Sequence, residues 1–125
     1  MSNELLAKNF QASGAIGARR IVIANADGTV SIAGAGGAAT ALFGVNAELD
    51  LADGDFGDIV KIGIADLVFG GVVAAGDPIT SDVNGAGVKA APAAGTNVRI
   101  IGFAEVAAAA GDIAQVRIAP SVMQG

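Results

Sequence analysis

Three stretches of the chain hold residue types that could do chemistry. The first, Ser31 to Gly44, reads SIAGAGGAATALFG. An apolar run enters a G-x-G-x-x-A cluster and carboxylates follow, close to the wording of a dinucleotide-binding loop. The second, Asp50-Leu51-Ala52-Asp53-Gly54-Asp55-Phe56-Gly57-Asp58, crowds carboxylates into one turn region, an oxygen-rich composition that suits calcium. The third is Arg19-Arg20, the only adjacent basic pair in the chain.

Each stretch also has a plainer reading, which the spacing favours. A dinucleotide loop must lie between a parallel strand and a helix of about ten residues or more. Only Ala38 to Phe43 stand before Gly44, too few for that helix, so the glycines read as a surface connector and no cofactor is expected. The acidic stretch does not follow the order of a calcium loop, since no Glu closes it at the required offset. It reads as a solvated acidic turn without a metal. Arg19-Arg20 reads as charge at the start of a strand, which discourages edge-to-edge association. Catalysis has little material. The chain has no His, Cys or Tyr, so a nucleophilic Ser has only three Lys and the carboxylates as bases. No carboxylate pair stands out for glycoside chemistry. The chain does not read as an enzyme.

These stretches sit in a chain that repeats itself. Gly17-Ala18-Arg19-Arg20-Ile21-Val22, the turn Asn25-Ala26-Asp27-Gly28 and Thr29-Val30-Ser31-Ile32-Ala33 are answered in order later on. Their counterparts are Gly76-Asp77-Pro78-Ile79-Thr80, Asp82-Val83-Asn84-Gly85 and Gly87-Val88-Lys89-Ala90. An Ala/Gly-rich link follows in each half, then Gly44-Val45-Asn46-Ala47-Glu48 or Gly102-Phe103-Ala104-Glu105-Val106. Each half closes on Gly-Asp and an alternating strand, Gly57-Asp58-Ile59-Val60-Lys61-Ile62 and Gly111-Asp112-Ile113-Ala114-Gln115-Val116-Arg117-Ile118. Asp27-Gly28 and Asn84-Gly85 supply the positive φ of tight hairpins. In Gly76-Asp77 and Gly111-Asp112, the Asp reads as a cap that accepts backbone N–H groups just before a strand. The alternation in 59–61 and 113–117 leaves one face wet. Short strands with frequent turns predict an all-β fold. It is expected to be a single-domain β-sandwich or barrel, jelly-roll-like, built from two similar halves with an extended N-terminal arm. The pseudo-repeats run from about 14 to 65 and 73 to 121, within one β domain over 13–125.

Composition narrows the partners. The chain has 125 residues and a hydrophobic fraction of 53%, but 28 residues are Ala, 19 are Gly, and Trp and Tyr are absent. A core of small side chains stabilises little per residue, so help from oligomerisation or a larger partner is expected. Net charge is -5 with seven scattered basic residues, which argues against nucleic acid as a partner. Mean hydropathy is +0.62, yet the longest apolar run, Leu67 to Gly76, is about half a spanning helix, so no membrane partner is expected. Glu4 stands ahead of any apolar run, unlike a secretory signal, and synthesis in the cytoplasm is expected. Residues 1–12, MSNELLAKNFQA, read as an arm docked on a partner, with Leu5, Leu6 and Phe10 as its apolar anchors.

Several runs resemble a known family. Ser13-Gly14-Ala15-Ile16-Gly17-Ala18-Arg19-Arg20 is similar to the opening of tailed-phage capsid cement proteins, also called decoration or head-stabilising proteins. Residues 74–88, AAGDPITSDVNGAGV, and 102–118, GFAEVAAAAGDIAQVRI, are similar to later parts of that family. The resemblance spans residues 10–120. It implies a small all-β virion protein, made in the host cytoplasm, that binds the outer surface of the expanded phage capsid. There it would bridge major capsid protein subunits and stabilise the shell, as a homo-dimer or homo-trimer. The family has no catalytic, cofactor or metal residues to carry over. A carbohydrate-binding β-sandwich on a virion or tail surface is the alternative, disfavoured because such sites use aromatic platforms and this chain has five Phe as its only aromatics.

Overall fold

A computed structural model of the protein describes residues 3–35 and 40–125, with side chains from residue 6 onward. Every regular element among them is a strand. These are β1 (Asn3–Gln11), β2 (Ile21–Ala24), β3 (Val30–Ile32), β4 (Gly44–Asn46), β5 (Phe56–Val68), β6 (Pro78–Ser81), β7 (Gly87–Lys89), β8 (Asn97–Ala104) and β9 (Ile113–Gln124). They form one nine-stranded antiparallel sheet that curls into a half-barrel, an all-β fold.

The sheet order is β3-β2-β4-β5-β9-β8-β6-β7, with β1 pairing β5. Each half thus runs hairpin, connecting strand, long strand: β3-β2-β4-β5 in one and β7-β6-β8-β9 in the other. The correspondence extends to single hydrogen bonds with a spacing of 57 residues. Ala12 bridges Val30 and Phe69 bridges Gly87, while Ile16 bridges Leu51 and Val73 bridges Ala108 (12 to 69, 30 to 87, 16 to 73, 51 to 108). The Ala12 N–H donates to the Asp55 carbonyl and the Phe69 N–H to the Asp112 carbonyl, each at 2.8 Å. The hairpin turns match too. Gly28 N–H donates to the Asn25 carbonyl and Gly85 N–H to the Asp82 carbonyl, and both glycines hold positive φ, at 90° and 77°. In the first hairpin, the Thr29 hydroxyl and N–H both donate to Asp27 Oδ1, holding that carboxyl below its ordinary range.

One turn design recurs before three strands. Ala52-Asp53-Gly54-Asp55, Ala74-Ala75-Gly76-Asp77 and Ala109-Ala110-Gly111-Asp112 all read A-x-G-D. In each, the Asp carboxylate accepts the N–H of the Ala three residues before it, at 2.9 Å. The Asp N–H returns to the same Ala carbonyl, and the intervening Gly takes a φ of 87–88°. A short carboxylate reaches back that far only because glycine permits the reversal. Gly54-Asp55 is therefore the counterpart of Gly111-Asp112, three residues earlier than the Gly57-Asp58 that the sequence pattern pairs with it.

Strand β5 belongs to both halves. Val60 pairs with Ala7 on one edge and Val45 on the other, and Gly63 pairs with Glu4 and Ile118. So β1 lines one edge, while β4 and then β9 line the other. Residues 56–60 close the first unit and residues 60–68 open the second, as β1 opens the first. Gly63, at φ 108°, lies beside register shifts around Leu6 in β1, a bulge that turns the faces over. Ile59 accordingly enters the core of the first unit, and Ala65 and Leu67 enter the larger core.

The first unit's core and part of the larger core, which also takes in Ile21, Val45 and Val60 of the first half, are made from corresponding residues of different sizes. Ala12, Ile16, Val22, Val30, Leu51 and Ile59 fill the first. Their counterparts are Phe69, Val73, Ile79, Gly87, Ala108 and Val116, all buried. Phe69 stands where the first unit has Ala12, and Gly87 where it has Val30. A Cβ on Gly87 would come within 2.6 Å of Leu67 Cδ2, 3.0 Å of Ile79 Cγ2 and 3.2 Å of Phe69 Cδ2, so the large ring, with Leu67 and Ile79, fills the space that the missing side chain leaves.

Gly87→Val alone is expected to cost about 1–3 kcal/mol by overpacking. Phe69→Ala alone should cost about 3–5 kcal/mol through the cavity. The double variant restores the first unit's Ala/Val combination and should lose at least about 1 kcal/mol less than the sum. Urea unfolding of the four proteins measures this, and additive losses would refute the compensation.

Candidate interaction surface

Three of the four carboxylates in the acidic turn accept from the protein's own backbone. Asp50 Oδ1 accepts the Ala18 N–H at 2.7 Å, Asp53 Oδ1 the Gly14 N–H at 2.8 Å, and Asp55 Oδ2 the Ala52 N–H at 2.9 Å. The first two bonds tie Asp50 and Asp53 to residues 14–18, and the third closes the turn on itself. Among the described residues, no three acidic side chains come together as a cation site would require. Of the glycine cluster, Gly36 to Ala39 lie outside the described residues. Its flanks are described: β3 is the second strand of an antiparallel hairpin, and residues 40–43 lead into β4. A dinucleotide loop would need a parallel strand there.

The expected arm forms β1, paired along β5 from Asn3↔Ile64 to Gln11↔Phe56. Its three proposed anchors fare differently. Phe10 is half-buried against the first unit's core, with its ring edge-on to Phe43 at 5.2 Å between centroids. The Lys61 ammonium lies 3.9 Å from the Phe43 centroid and 6.0 Å from that of Phe10, favourable electrostatics for a cation over ring faces. Leu6 is exposed and sits opposite Ile62, also exposed. Leu5 is a strand residue whose side chain lies outside the description. The structure thus brings Leu6 together with Ile62 and commits Phe10 to its own chain.

Arg19 has the one positive φ of a non-glycine residue among those described, 58°. Its counterpart 57 residues on is Gly76, at 87°. The Arg19 N–H donates to the Asn46 and Ala47 carbonyls as Gly76 N–H donates to that of Ala104. The first unit therefore keeps the left-handed turn with an arginine in it, at a steric cost of about 1–2 kcal/mol. Arg20 replaces the capping Asp77, and its Nη1 donates to the Asn84 carbonyl at 3.2 Å, joining one unit to the hairpin of the other.

Two pairs of exposed apolar residues also share the 57-residue spacing, and sequence reasoning missed them. Leu49 is 73% exposed and Val106 46%; Phe56 is 64% exposed and Ile113 53%. Phe56 and Ile113 each follow the Asp of an A-x-G-D turn, at the first residue of β5 and β9. The signal for them is the register of the repeat. Aligning Gly54-Asp55 with Gly111-Asp112 places Phe56 on Ile113, whereas the three-residue slip sets Ile59 against Ile113 and hides the match.

No protein-family model matches the chain, and no curated protein matches it. Among solved structures, the fold is similar to the head fiber gp8.5 N base in bacteriophage phi29. The TM-score is 0.62 over 91% of this chain and 93% of that chain. Sequence identity is 18%, so the likeness is one of fold.

Arg19→Gly should raise stability by about 0.5–1 kcal/mol, the relieved strain less the greater backbone entropy of glycine when unfolded. Thermal unfolding reads this, and a destabilised variant would show that the arginine side chain contributes more to the fold than its backbone costs. Phe10→Ala should instead lose about 2–3 kcal/mol, somewhat less than a fully buried Phe, with Leu6→Ser near neutral in the same assay.

Proposed function

We propose that this chain is a structural protein of a phage virion that binds the outer surface of the expanded head and stabilises it by bridging major capsid protein subunits. The observation that carries this reading is the fold shared, over nearly the whole of both chains, with the phi29 head fiber base. The resemblance of residues 10–120 to capsid cement proteins points the same way. The charge of -5 suits an outward-facing position better than a lining against packaged DNA. Large apolar residues left exposed at matched positions suit a protein completed by a partner.

The mechanism is passive. A protein that binds the assembled shell and not its dissociated subunits stabilises the shell by mass action. Parting two bridged subunits then also costs the bridge's contacts with at least one of them. Self-association as a dimer or trimer belongs to the same reading, as does the absence of a catalytic role. Co-sedimentation with expanded, undecorated heads is the test. Saturable binding at a simple ratio to capsid subunits is the expected result. Folded protein, checked by circular dichroism, that stays in the supernatant at every concentration would overturn the proposal.

A further inference from the structure

The two units leave large apolar side chains exposed at the same places, although most corresponding residues differ. Leu49 answers to Val106 and Phe56 to Ile113. Elsewhere the exposed apolar residues do not repeat: Val72 and Val83 correspond to Ala15 and Ala26. An exposed valine or leucine alone needs no explanation, but the same exposure in both copies of a diverged unit marks a shared contact.

Local chemistry makes these residues suitable anchors. Phe56 directly follows Asp55, whose carboxylate locks the turn to the Ala52 N–H; Ile113 follows Asp112, locked in the same way to Ala109. A backbone fixed before binding leaves less entropy to lose on docking. Each anchor is also tied to the long shared strand. Phe56 begins β5, and Ile113 pairs with Val68 at its far end. Thirteen residues at about 3.3 Å each place the two anchors up to roughly 40 Å apart.

We propose that the chain is a two-ended clamp. Leu49 with Phe56 at one end, and Val106 with Ile113 at the other, dock into the same apolar surface on two neighbouring copies of one protein. Equivalent ends recognise equivalent surfaces, so the partner presents that surface twice at a matching separation. This rests on the proposed function, under which the two copies are adjacent subunits of the shell. It assigns the bridging to named residues and excludes a single continuous footprint on one subunit.

The test is head binding by Phe56→Ser, Ile113→Ser and the double variant, with Val72→Ser and Val83→Ser as exposed controls outside the repeat. Circular dichroism and thermal unfolding confirm that each is folded. Losing either end turns a bivalent attachment into a monovalent one, so each single variant should lose on the order of 100-fold in apparent affinity, by similar factors. The double variant should not bind measurably, and the controls should match the wild type. Wild-type binding with both single variants unchanged overturns the clamp and leaves the proposed function standing. So does loss confined to one end. Folded wild-type protein that fails to bind heads overturns both.

Discussion

The backbone ladder along β5 is the constraint on which the rest of the molecule depends. A unit of about 57 residues buries too little surface to be comfortably stable alone, and here the apolar side chains are mostly small. Sharing one long strand addresses that shortage. Residues 56–60 finish one unit, residues 60–68 begin the next, and pairing continues along both edges through much of the length. Neither unit can be pulled from the other without opening that ladder. The bulge at Gly63 makes the sharing geometrically possible. Strict alternation would send Ile59, Ala65 and Leu67 to one face, whereas the structure needs them in two different cores.

Duplication under this constraint preserves backbone geometry and lets side chains drift in compensating groups. Gly44 and Gly102 show what is preserved. A Cβ on Gly44 would lie 2.6 Å from the Val60 carbonyl oxygen, and one on Gly102 would collide with that of Arg117. Val60 and Arg117 are counterparts, so the close approach of β4 to β5 and of β8 to β9 demands glycine in both units, although Gly102 lies one residue out of the 57-residue register, beside the register shift in β8. Phe69 with Gly87, against Ala12 with Val30, shows what drifts: the volume of the group is kept while its members change. Arg19 departs from both patterns. It keeps the left-handed backbone of Gly76 and pays the steric cost of a side chain there, and residues held in such conformations concentrate where function constrains them.

Local features of this fold were legible in the sequence and long-range ones were not. Asp27-Gly28 and Asn84-Gly85 mark hairpins because positive φ is a single-residue requirement. The Asp77 and Asp112 caps are legible because each carboxylate accepts the N–H of an Ala only three residues before it. The order of the repeat could be read, but its register could not. Gly54-Asp55 and Gly57-Asp58 both precede apolar alternation, and the cap that distinguishes them depends on Ala52 three residues earlier. The pairing of β1 was hidden for a different reason. A polar nine-residue segment carries no mark of the strand it will join, and its partner residues lie 45 to 61 positions further along (11 to 56, 3 to 64). The acidic turn was legible as an exposed turn, but its partners were not, because composition counts carboxylates and not the N–H groups of Gly14 and Ala18 that face two of them.

The shared strand also bears on how the bridge proposed for this chain would be selective. Two weak apolar anchors joined by a flexible linker accept many separations. Fixed to opposite ends of a strand that is paired on both edges, they accept few. The effective concentration of the second anchor is high when the partner's surfaces lie at the matching distance and falls towards zero when they do not. Exposed side chains such as Phe56 and Ile113 contribute little individually, so under the proposed clamp attachment at one end would be weak and reversible. Discrimination between shell states would then require no specific chemistry at the contact. A change in subunit spacing is sufficient, because the ladder along β5 resists the stretch or bend that would follow it.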